Sequence, residues 1–584
     1  MTINEPASQR RPTVIRHSDI VSNGRDLRRS PPTGDGGWAG ERQRHLVTSH
    51  AGAVRGQSTP EPTTAANDRR LALLLAMAMF VLVVDTSIMN VSISAVVHDL
   101  GTTTSGVQSA IALEALVSAA FILIGSRIGD LIGRKRAYIL GLIGYAIGAL
   151  AMTLAQSIAA VITFWAIVGG LGASLLLPAM QSLIHGNFEG KAQKQAYALV
   201  GAAAAIAAAV GPLLGGFITT YLSWRIAFLL EDVVILVVLS GTKLIHEVPF
   251  EGDTRIDVVG SLLSVIGMGG VVLGILVWQE GGDYVGLIIG LGALTLGALV
   301  WWLKRRERQE QPALIDVDLF RAKLFRFGVT AEMLQQISLG ALMIALPIFL
   351  QMVLEYDALK AGLAIAPLSL SMFAIALAAS KRGLKRRPAA VIRIGFALVA
   401  IGVLSLIPIV PRADSGWALI ASLLVTGSGL GLLVSQLNNY TLSRISNERV
   451  SEGAGVNSAA GSFGLSFGLA VGGALMLATL SLTFTNMAND SSVLSSSQKS
   501  QVSHALEHDA EVMSNTQLEK ELQGQPPDVR AEIVRINNDA RPRALQIALI
   551  VPLVAAGLGF ANSFRMMRQP DPVPSGAAEA VVLG

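Results

Sequence analysis

The sequence predicts an all-α polytopic membrane protein with fourteen transmembrane helices. Apolar segments of about 20 residues recur from Leu71 onward, and each is long enough to cross the roughly 30 Å hydrocarbon core of a bilayer. Only 15% of the 584 residues are charged, whereas soluble domains carry about 25%. Lys and Arg collect in alternate loops, as the positive-inside rule requires of a multi-pass protein.

The elements follow in order along the chain. Residues 1–68 are rich in Arg, Pro, Ser, Thr and Gly without an apolar period, which predicts a disordered tail. No short apolar region follows their basic residues, so we do not interpret them as a signal peptide. The spans are predicted at roughly 71–95, 106–128, 137–156, 159–183, 196–220, 226–245, 257–278, 284–303, 327–353, 360–380, 389–410, 416–437, 453–484 and 544–564. A polar loop at 485–543 separates the last two spans, and 566–584 form a second tail.

The basic residues of the loops predict the orientation of the chain. The loops that we assign to the cytoplasm hold Arg134, Lys135 and Arg136, then Lys304, Arg305, Arg306 and Arg308, then Lys381, Arg382, Lys385, Arg386 and Arg387. The short intervening loops contribute only Arg225, Lys360 and Arg412. This alternation predicts a multi-pass protein of the cell membrane (inner or plasma membrane), with both termini and both tails cytoplasmic and residues 485–543 outside.

Composition and missing motifs exclude several classes of function. The chain has no cysteine, which excludes disulfides, thiolate catalysis and Cys-ligated zinc or iron–sulfur centres. Its eight His residues all fall in predicted tails or loops, so no bis-His haem lies in the membrane. No GxxxxGK[ST] motif is present, so the chain is not a pump with its own ATPase. We expect no enzyme activity, no metal, no cofactor and no nucleic-acid partner.

The loop after the second span carries a charged motif, "GSRIGDLIGRKRAY" at 125–138. Asp130 lies at a helix end and faces Arg134 and Lys135, while Gly129 and Gly133 allow the helix ends to approach. Such an acid can form a charge latch that breaks when two halves of a protein move apart. The alternative is a basic loop that only fixes topology. The segment resembles motif A of the major facilitator superfamily, although Ser126 stands where that motif usually has Gly.

The first span carries a second signature. Residues 83–97, "VVDTSIMNVSISAVV", resemble the "LDxTIVNVALP" motif of the fourteen-helix drug/proton antiporters of that superfamily, the multidrug efflux type. Asp85 and Asn90 are among the matching positions, and Ser94 replaces the usual Pro.

The fifth span resembles motif C, the antiporter motif, at "AAAVGPLLGGF", residues 207–217. Gly211, Pro212, Gly215 and Gly216 match, and Ala207 replaces the first Gly. A Pro kink flanked by glycines bends a helix and permits close packing, so a purely structural role is the alternative.

Residues 349–367 and 435–474 resemble the same family, and the resemblance covers about 70–565. It implies the major facilitator fold, with two six-helix halves around a central cavity. Those halves would be 69–245 and 311–565, with an inserted two-helix hairpin in 246–310. The resemblance also implies a monomer.

The family's motif B carries an Arg linked to proton coupling, but this chain has Ala166 at the aligned position. The coupling mechanism therefore cannot be carried over from that residue. Charges within membrane spans are costly and are functional candidates by default. Asp85 lies about 21 Å from the cytoplasmic face, which leaves about 9 Å to the outer face of a core of about 30 Å. Glu114 lies about 12 Å from that outer face. The two carboxylates are therefore at similar depth on consecutive helices. Together they are the predicted coupling pair.

Other polar residues of the spans complete the predicted site. Asn90, Glu332, Gln335 and Gln336 are further candidates for the coupling site or substrate cavity. Glu231 and Asp232 are interpreted instead as a buried structural pair with Arg225.

These features predict a secondary active transporter that exports small amphipathic or cationic compounds in exchange for protons. Its expected partners are the lipid bilayer, a small-molecule substrate and protons. Two alternatives stay open. The chain could be a proton symporter or facilitator of a small metabolite, or a transporter-like membrane sensor with 485–543 as its receptor.

Overall fold

The structure, a computed structural model, describes residues 62–247, 256–381, 387–445, 449–495 and 522–570, together with 499 and 518–520. These described residues form helices and connecting turns, without a strand. We number the long helices in chain order: α1 Pro62–Val91, α2 Thr104–Ile132, α3 Arg134–Leu154, α4 Ile158–Asn187, α5 Gly190–Tyr221, α6 Trp224–Ser240, α7 Val258–Gln279, α8 Val285–Arg308, α9 Lys323–Val353, α10 Ala358–Lys381, α11 Pro388–Arg412, α12 Gly416–Leu442, α13 Val450–Asp490 and α14 Pro527–Met567.

Every predicted span corresponds to one of these helices, so the all-helical prediction is confirmed. Thirteen of the described helices are long and apolar enough to cross a membrane. The fourteenth, α6, has only 17 residues and includes two acids, Glu231 and Asp232. Its remaining residues are mostly Leu, Val, Ile and Phe, which suit a short span in contact with lipid.

Helices α1–α6 and α9–α14 are the two halves of the bundle. The halves meet where α5 packs on α10 and where α2 packs on α13. At the second contact, the Ser466 hydroxyl of α13 donates a hydrogen bond of 2.7 Å to the Ala112 carbonyl of α2. These two helix pairs form the seam between the halves.

The inserted hairpin α7–α8 joins the bundle chiefly through α7. Helices α7 and α8 pack closely at Gly270 and Gly292, where an added Cβ on Gly270 would lie 2.9 Å from the Gly292 Cα. Only 11% of the most apolar stretch of α8 is buried. At the end of α7, the Gln279 amide donates a hydrogen bond of 2.6 Å to the Gln108 amide oxygen of α2.

The other end of the hairpin is fixed by a buried carboxylate at the start of α7. Asp257 accepts hydrogen bonds from the Gly260 amide at 3.0 Å, the Trp302 indole at 3.0 Å and the Leu314 amide at 3.1 Å. These donors come from α7, from α8 and from the segment that leads into α9. The carboxylate therefore ties both hairpin helices to the entry of the second half.

The structure differs from the prediction around the polar loop 485–543. Helix α13 continues to Asp490 and α14 begins at Pro527, so helix replaces both ends of that loop. Most of the first tail, most of the basic segment 381–387, the middle of this loop and residues 571–584 lie outside the described residues.

Candidate functional site

The candidate site is built around Asp85, which lies in the middle of the first half and is only 1% exposed. Its carboxylate accepts a hydrogen bond from the Tyr145 hydroxyl of α3. The Trp165 indole of α4 donates to both carboxylate oxygens, at 2.9 and 3.1 Å. Both donors are neutral, and the ion pairs found among the described residues do not include Asp85.

The local backbone of α4 explains how Trp165 reaches this carboxylate. Residues Val161–Gly169 form a π-helical segment within α4, and Trp165 lies in its middle. A π-helical segment changes the angular position of the residues that follow, and such segments are frequent at functional sites. Trp165 is also packed edge-to-face on Phe228 of α6, with ring centroids 6.4 Å apart. Ala166, which aligns with the motif B Arg, is the next residue.

Two further carboxylates lie near Asp85. Glu114 of α2 is buried within electrostatic range of Asp85, so the structure brings together the predicted pair. Glu231 of α6 is buried within electrostatic range of Asp85 as well. Tyr145 interacts electrostatically with all three acids. We call Asp85, Glu114, Glu231 and Tyr145 the acidic cluster.

The interpretation of Glu231 and Asp232 as partners of Arg225 is wrong. Arg225 forms an ion pair with Asp99, beyond the end of α1, and also donates to the Ala155 carbonyl. Arg225 lies at the first turn of α6, nearly two turns before Glu231. Arg225 therefore does not compensate the charge of Glu231.

The remaining predicted cavity residues do not join the acidic cluster. Asn90 is buried in α1 and donates to the Thr86 carbonyl at 2.8 Å. Glu332, Gln335 and Gln336 lie in α9, in the other half. There Gln336 donates to Glu332 at 3.4 Å, and these two side chains lie beside Gly461 of α13.

The motif A residues form a charge contact within the first half. Asp130 pairs with Arg134, and both side chains are almost fully buried. Lys135 does not join them, because its ammonium donates to the Ile245 carbonyl at 2.8 Å. Gly133 links α2 and α3 at φ +100°, a conformation that residues with a side chain rarely adopt. An added Cβ on Gly129 would lie 3.2 Å from the Arg134 guanidinium.

The motif C residues lie in α5 and mediate close helix contacts. An added Cβ on Gly211 would lie 2.5 Å from the Ser87 Cβ, and one on Gly215 would lie 2.8 Å from the Ile88 Cα, both in α1. Pro212 lies between these contacts, inside α5.

Gly216, the last motif C residue, faces α10 across the seam. An added Cβ there would lie 2.5 Å from the Ala358 carbonyl oxygen. Through motif C, one side of α5 packs on α1 of the first half, and another side packs on α10 of the second half.

The contacts across the seam show which face of the bundle is closed. We call the face with Arg134 and Arg305 the basic face. At the opposite face, the Ser94 amide donates to the Gln351 side chain of α9 at 3.0 Å. The Leu359 amide of α10 donates to the Thr220 hydroxyl of α5, also at 3.0 Å.

Nearer the basic face, a small polar cavity of about 20 Å³ lies between the two halves. It is lined by Ile122, Ser126, Leu177, Pro178, Gln181, Ser182, Gly455 and Ser458. The hydrogen bonds from Ser94 and Leu359 therefore close the seam at the face opposite the basic face.

Sequence reasoning missed several residues of the site. Tyr145 and Trp165 occur in apolar spans, where an aromatic residue is ordinary packing material, and only the position of Trp165 beside Ala166 could have drawn attention to it. Gln351 could have been found as an amide within an apolar span.

In the part of the chain that the structure describes, no group of three or more His, Asp or Glu residues could hold a metal ion.

Comparisons with known proteins agree with this architecture. The family model described as Major Facilitator Superfamily matches residues 75–260 and 256–469. The chain is 25% identical to a "Probable actinorhodin transporter" of Streptomyces coelicolor, over 70% of this chain and 72% of the relative. It is 28% identical to the "Multidrug resistance protein Stp" of Mycobacterium tuberculosis, over 71% of this chain and 78% of the relative. It is 29% identical to the "Cephamycin export protein CmcT" of Amycolatopsis lactamdurans, over 72% and 87%.

Among solved structures, the chain is similar to a bacterial homolog of the human lysosomal transporter Spinster, in an inward-facing and unoccupied conformation. The TM-score is 0.57 at 13% identity, and the match covers 88% of this chain and 100% of that chain. At this identity the likeness shows the fold alone.

Proposed function

This chain belongs to the Major Facilitator Superfamily, and from that premise we propose that it exports small amphipathic or cationic compounds in exchange for protons. Membership makes it a multi-pass membrane transporter of small molecules and not an enzyme. Export is supported by the names of its relatives, which include a multidrug resistance protein and a cephamycin export protein.

The observation that carries the proposal is the surroundings of Asp85. Its carboxylate is buried and has two neutral donors, and two further acids lie nearby. An ionised carboxylate in an apolar interior is costly unless a cation accompanies it. Where the motif B Arg would stand, Ala166 supplies no cation. Asp85 and Glu114 can therefore alternate between a neutral and an ionised form as the site faces each side of the membrane.

A carboxylate in the second half supports a cationic substrate. Glu332 is partly accessible in α9, and its neighbours Gln335 and Gln336 each have a side-chain oxygen without a hydrogen-bond partner among the described residues. Amide and carboxylate oxygens accept hydrogen bonds and attract positive charge. An amphipathic cation could therefore bind beside α9 while the acidic cluster exchanges protons.

The test is proton-driven transport in proteoliposomes, with ethidium as the probe cation and an acidic vesicle interior. We expect the wild type to accumulate ethidium and release protons. Asp85→Asn and Glu114→Gln should each abolish proton-driven accumulation while ethidium exchange partly survives. Glu280→Gln is the matched control, since Glu280 is exposed at the end of α7.

Several results would contradict the proposal. Undiminished proton release in the Asp85→Asn/Glu114→Gln double variant would place coupling elsewhere, and Glu332 would be examined next. Movement of ethidium and protons in the same direction would indicate a symporter. Ethidium flux that does not depend on the pH gradient would indicate a facilitator. Absence of flux despite ethidium binding would favour the sensor.

A further inference from the structure

Glu231 is a buried acid that the packing of α6 does not explain. Its side chain is 4% exposed, and neither carboxylate oxygen has a hydrogen-bond partner among the residues that the structure describes. Buried polar groups normally have partners, and one without them costs free energy. A structural acid would be expected to accept from a backbone amide or a cation, as Asp257 and Asp130 do.

The titratable groups within electrostatic range of Glu231 are other acids and a tyrosine. They include Asp85 of α1 and Tyr145 of α3. On its own helix, Asp232 is within electrostatic range, whereas Arg225 is paired with Asp99. Helix α5 also packs on α6, and its basic residues Lys191 and Lys194 lie within its first five residues, at the end of α5 remote from the α5–α6 turn.

This arrangement disfavours simultaneous ionisation of Asp85 and Glu231. Two like charges in a low-dielectric interior repel one another, so one of a close pair of carboxylates tends to hold a proton. The hydrogen bonds distinguish the two. Asp85 has the Tyr145 and Trp165 donors that an ionised carboxylate needs, while Glu231 has none. In this state, Glu231 is therefore the member suited to the neutral form.

We infer that Glu231 is a further proton-binding residue of the transport cycle, which acts with Asp85 so that each turnover moves one more proton. This inference rests on the proposed proton coupling. When the cluster faces the acidic compartment, the Glu231 carboxylate takes a proton from hydronium and an O–H bond forms. When the cluster faces the other compartment, that O–H bond breaks and the proton passes to water.

The test uses Glu231→Gln, an isostere of the neutral acid, and Glu231→Met as a second variant of similar volume. Glu280→Gln again serves as the control. The first measurement is infrared difference spectroscopy of the purified protein after a pH jump, which reports the carbonyl stretch of protonated carboxylic acids without any substrate. We expect both Glu231 variants to lose one such band that the wild type and the control retain.

The second measurement is the number of protons released per ethidium ion in proteoliposomes, read with an internal pH dye. We expect this ratio to fall by one proton in both Glu231 variants and to stay unchanged in the control. An intact infrared band and an unchanged ratio in folded Glu231→Gln would overturn the inference while leaving Asp85 coupling in place. A wild type that releases no protons would instead overturn the proposed function, and the infrared band would still decide whether Glu231 binds a proton.

Discussion

Substitution of Gly216 should weaken the closed contact between the halves at the opposite face. An added Cβ on Gly216 would lie 2.5 Å from the Ala358 carbonyl oxygen and 2.9 Å from the Leu359 Cα. The first distance is about 0.9 Å short of the 3.4 Å at which ordinary contact begins. Both neighbours are backbone atoms, so no change of rotamer can relieve the overlap and α5 must move away from α10.

The magnitude follows from the cost of overpacking. An extra methyl in a well-packed contact typically costs about 1–3 kcal/mol. This cost applies only when α5 and α10 touch, so it acts on the equilibrium between the two conformations. A difference of about 1–3 kcal/mol corresponds to a roughly 5- to 150-fold shift in population. Gly216→Ala should therefore deplete the state described here by that factor, while the gain in helix propensity affects both states equally.

The assay benefits from the absence of cysteine in the chain. Spin labels can be attached at Tyr221→Cys in α5 and Trp417→Cys in α12, which are 65% and 80% exposed at the opposite face. Pulsed electron spin resonance then measures the distance between the halves. Gly216→Ala should shift the distribution toward longer distances. Gly297→Ala is the matched control, because an added Cβ there would meet no atom within 4 Å. Identical distributions in the two variants would refute the proposed role of this contact.

Two further predictions concern the same face and the orientation of the chain. Ser94→Pro removes the amide that donates to Gln351. Because a hydrogen bond contributes about 0.5–1.5 kcal/mol, the closed population should fall about twofold to tenfold in the same distance measurement. Ser94→Ala keeps the amide and should not change that population. Reporter tags at the C-terminus and near Ser495 should lie in opposite compartments, since one membrane crossing separates them, and tags on the same side would contradict the fourteen-helix topology.

Most of the fold could be predicted from hydropathy, because each crossing needs a long apolar segment. Helix ends were harder to predict. Helix α13 continues to Asp490, and α14 begins at Pro527 with a polar stretch. Once a helix leaves the bilayer, its residues no longer need to be apolar, so hydropathy gives no signal there. The short α6 could be predicted despite Glu231 and Asp232 because apolar residues surround them.

The site could be predicted only in part, for a geometric reason. Asp85 and Glu114 were found because charge is rare within spans, and their shared depth follows from the rise of a helix. The sequence does not give the rotation of each helix about its axis. Sequence proximity therefore predicts Arg225 as the partner of Glu231, whereas Arg225 pairs with Asp99 and Glu231 lies within electrostatic range of Asp85. The contribution of Trp165 depends on a π-helical segment, which no residue pattern in α4 marks.

The attachment of the α7–α8 hairpin has a consequence for shortened forms of this protein. Because α8 is exposed to lipid along most of its length, the hairpin is held largely by α7, with polar contacts at Gln279 and Asp257. Deletion of residues 257–308 would leave the Gln108 amide oxygen of α2 without its Gln279 donor and the Leu314 amide without its Asp257 acceptor. A viable twelve-helix form would therefore need compensating changes at Gln108 and around Leu314, and the insert is not a module that can be removed by joining its ends.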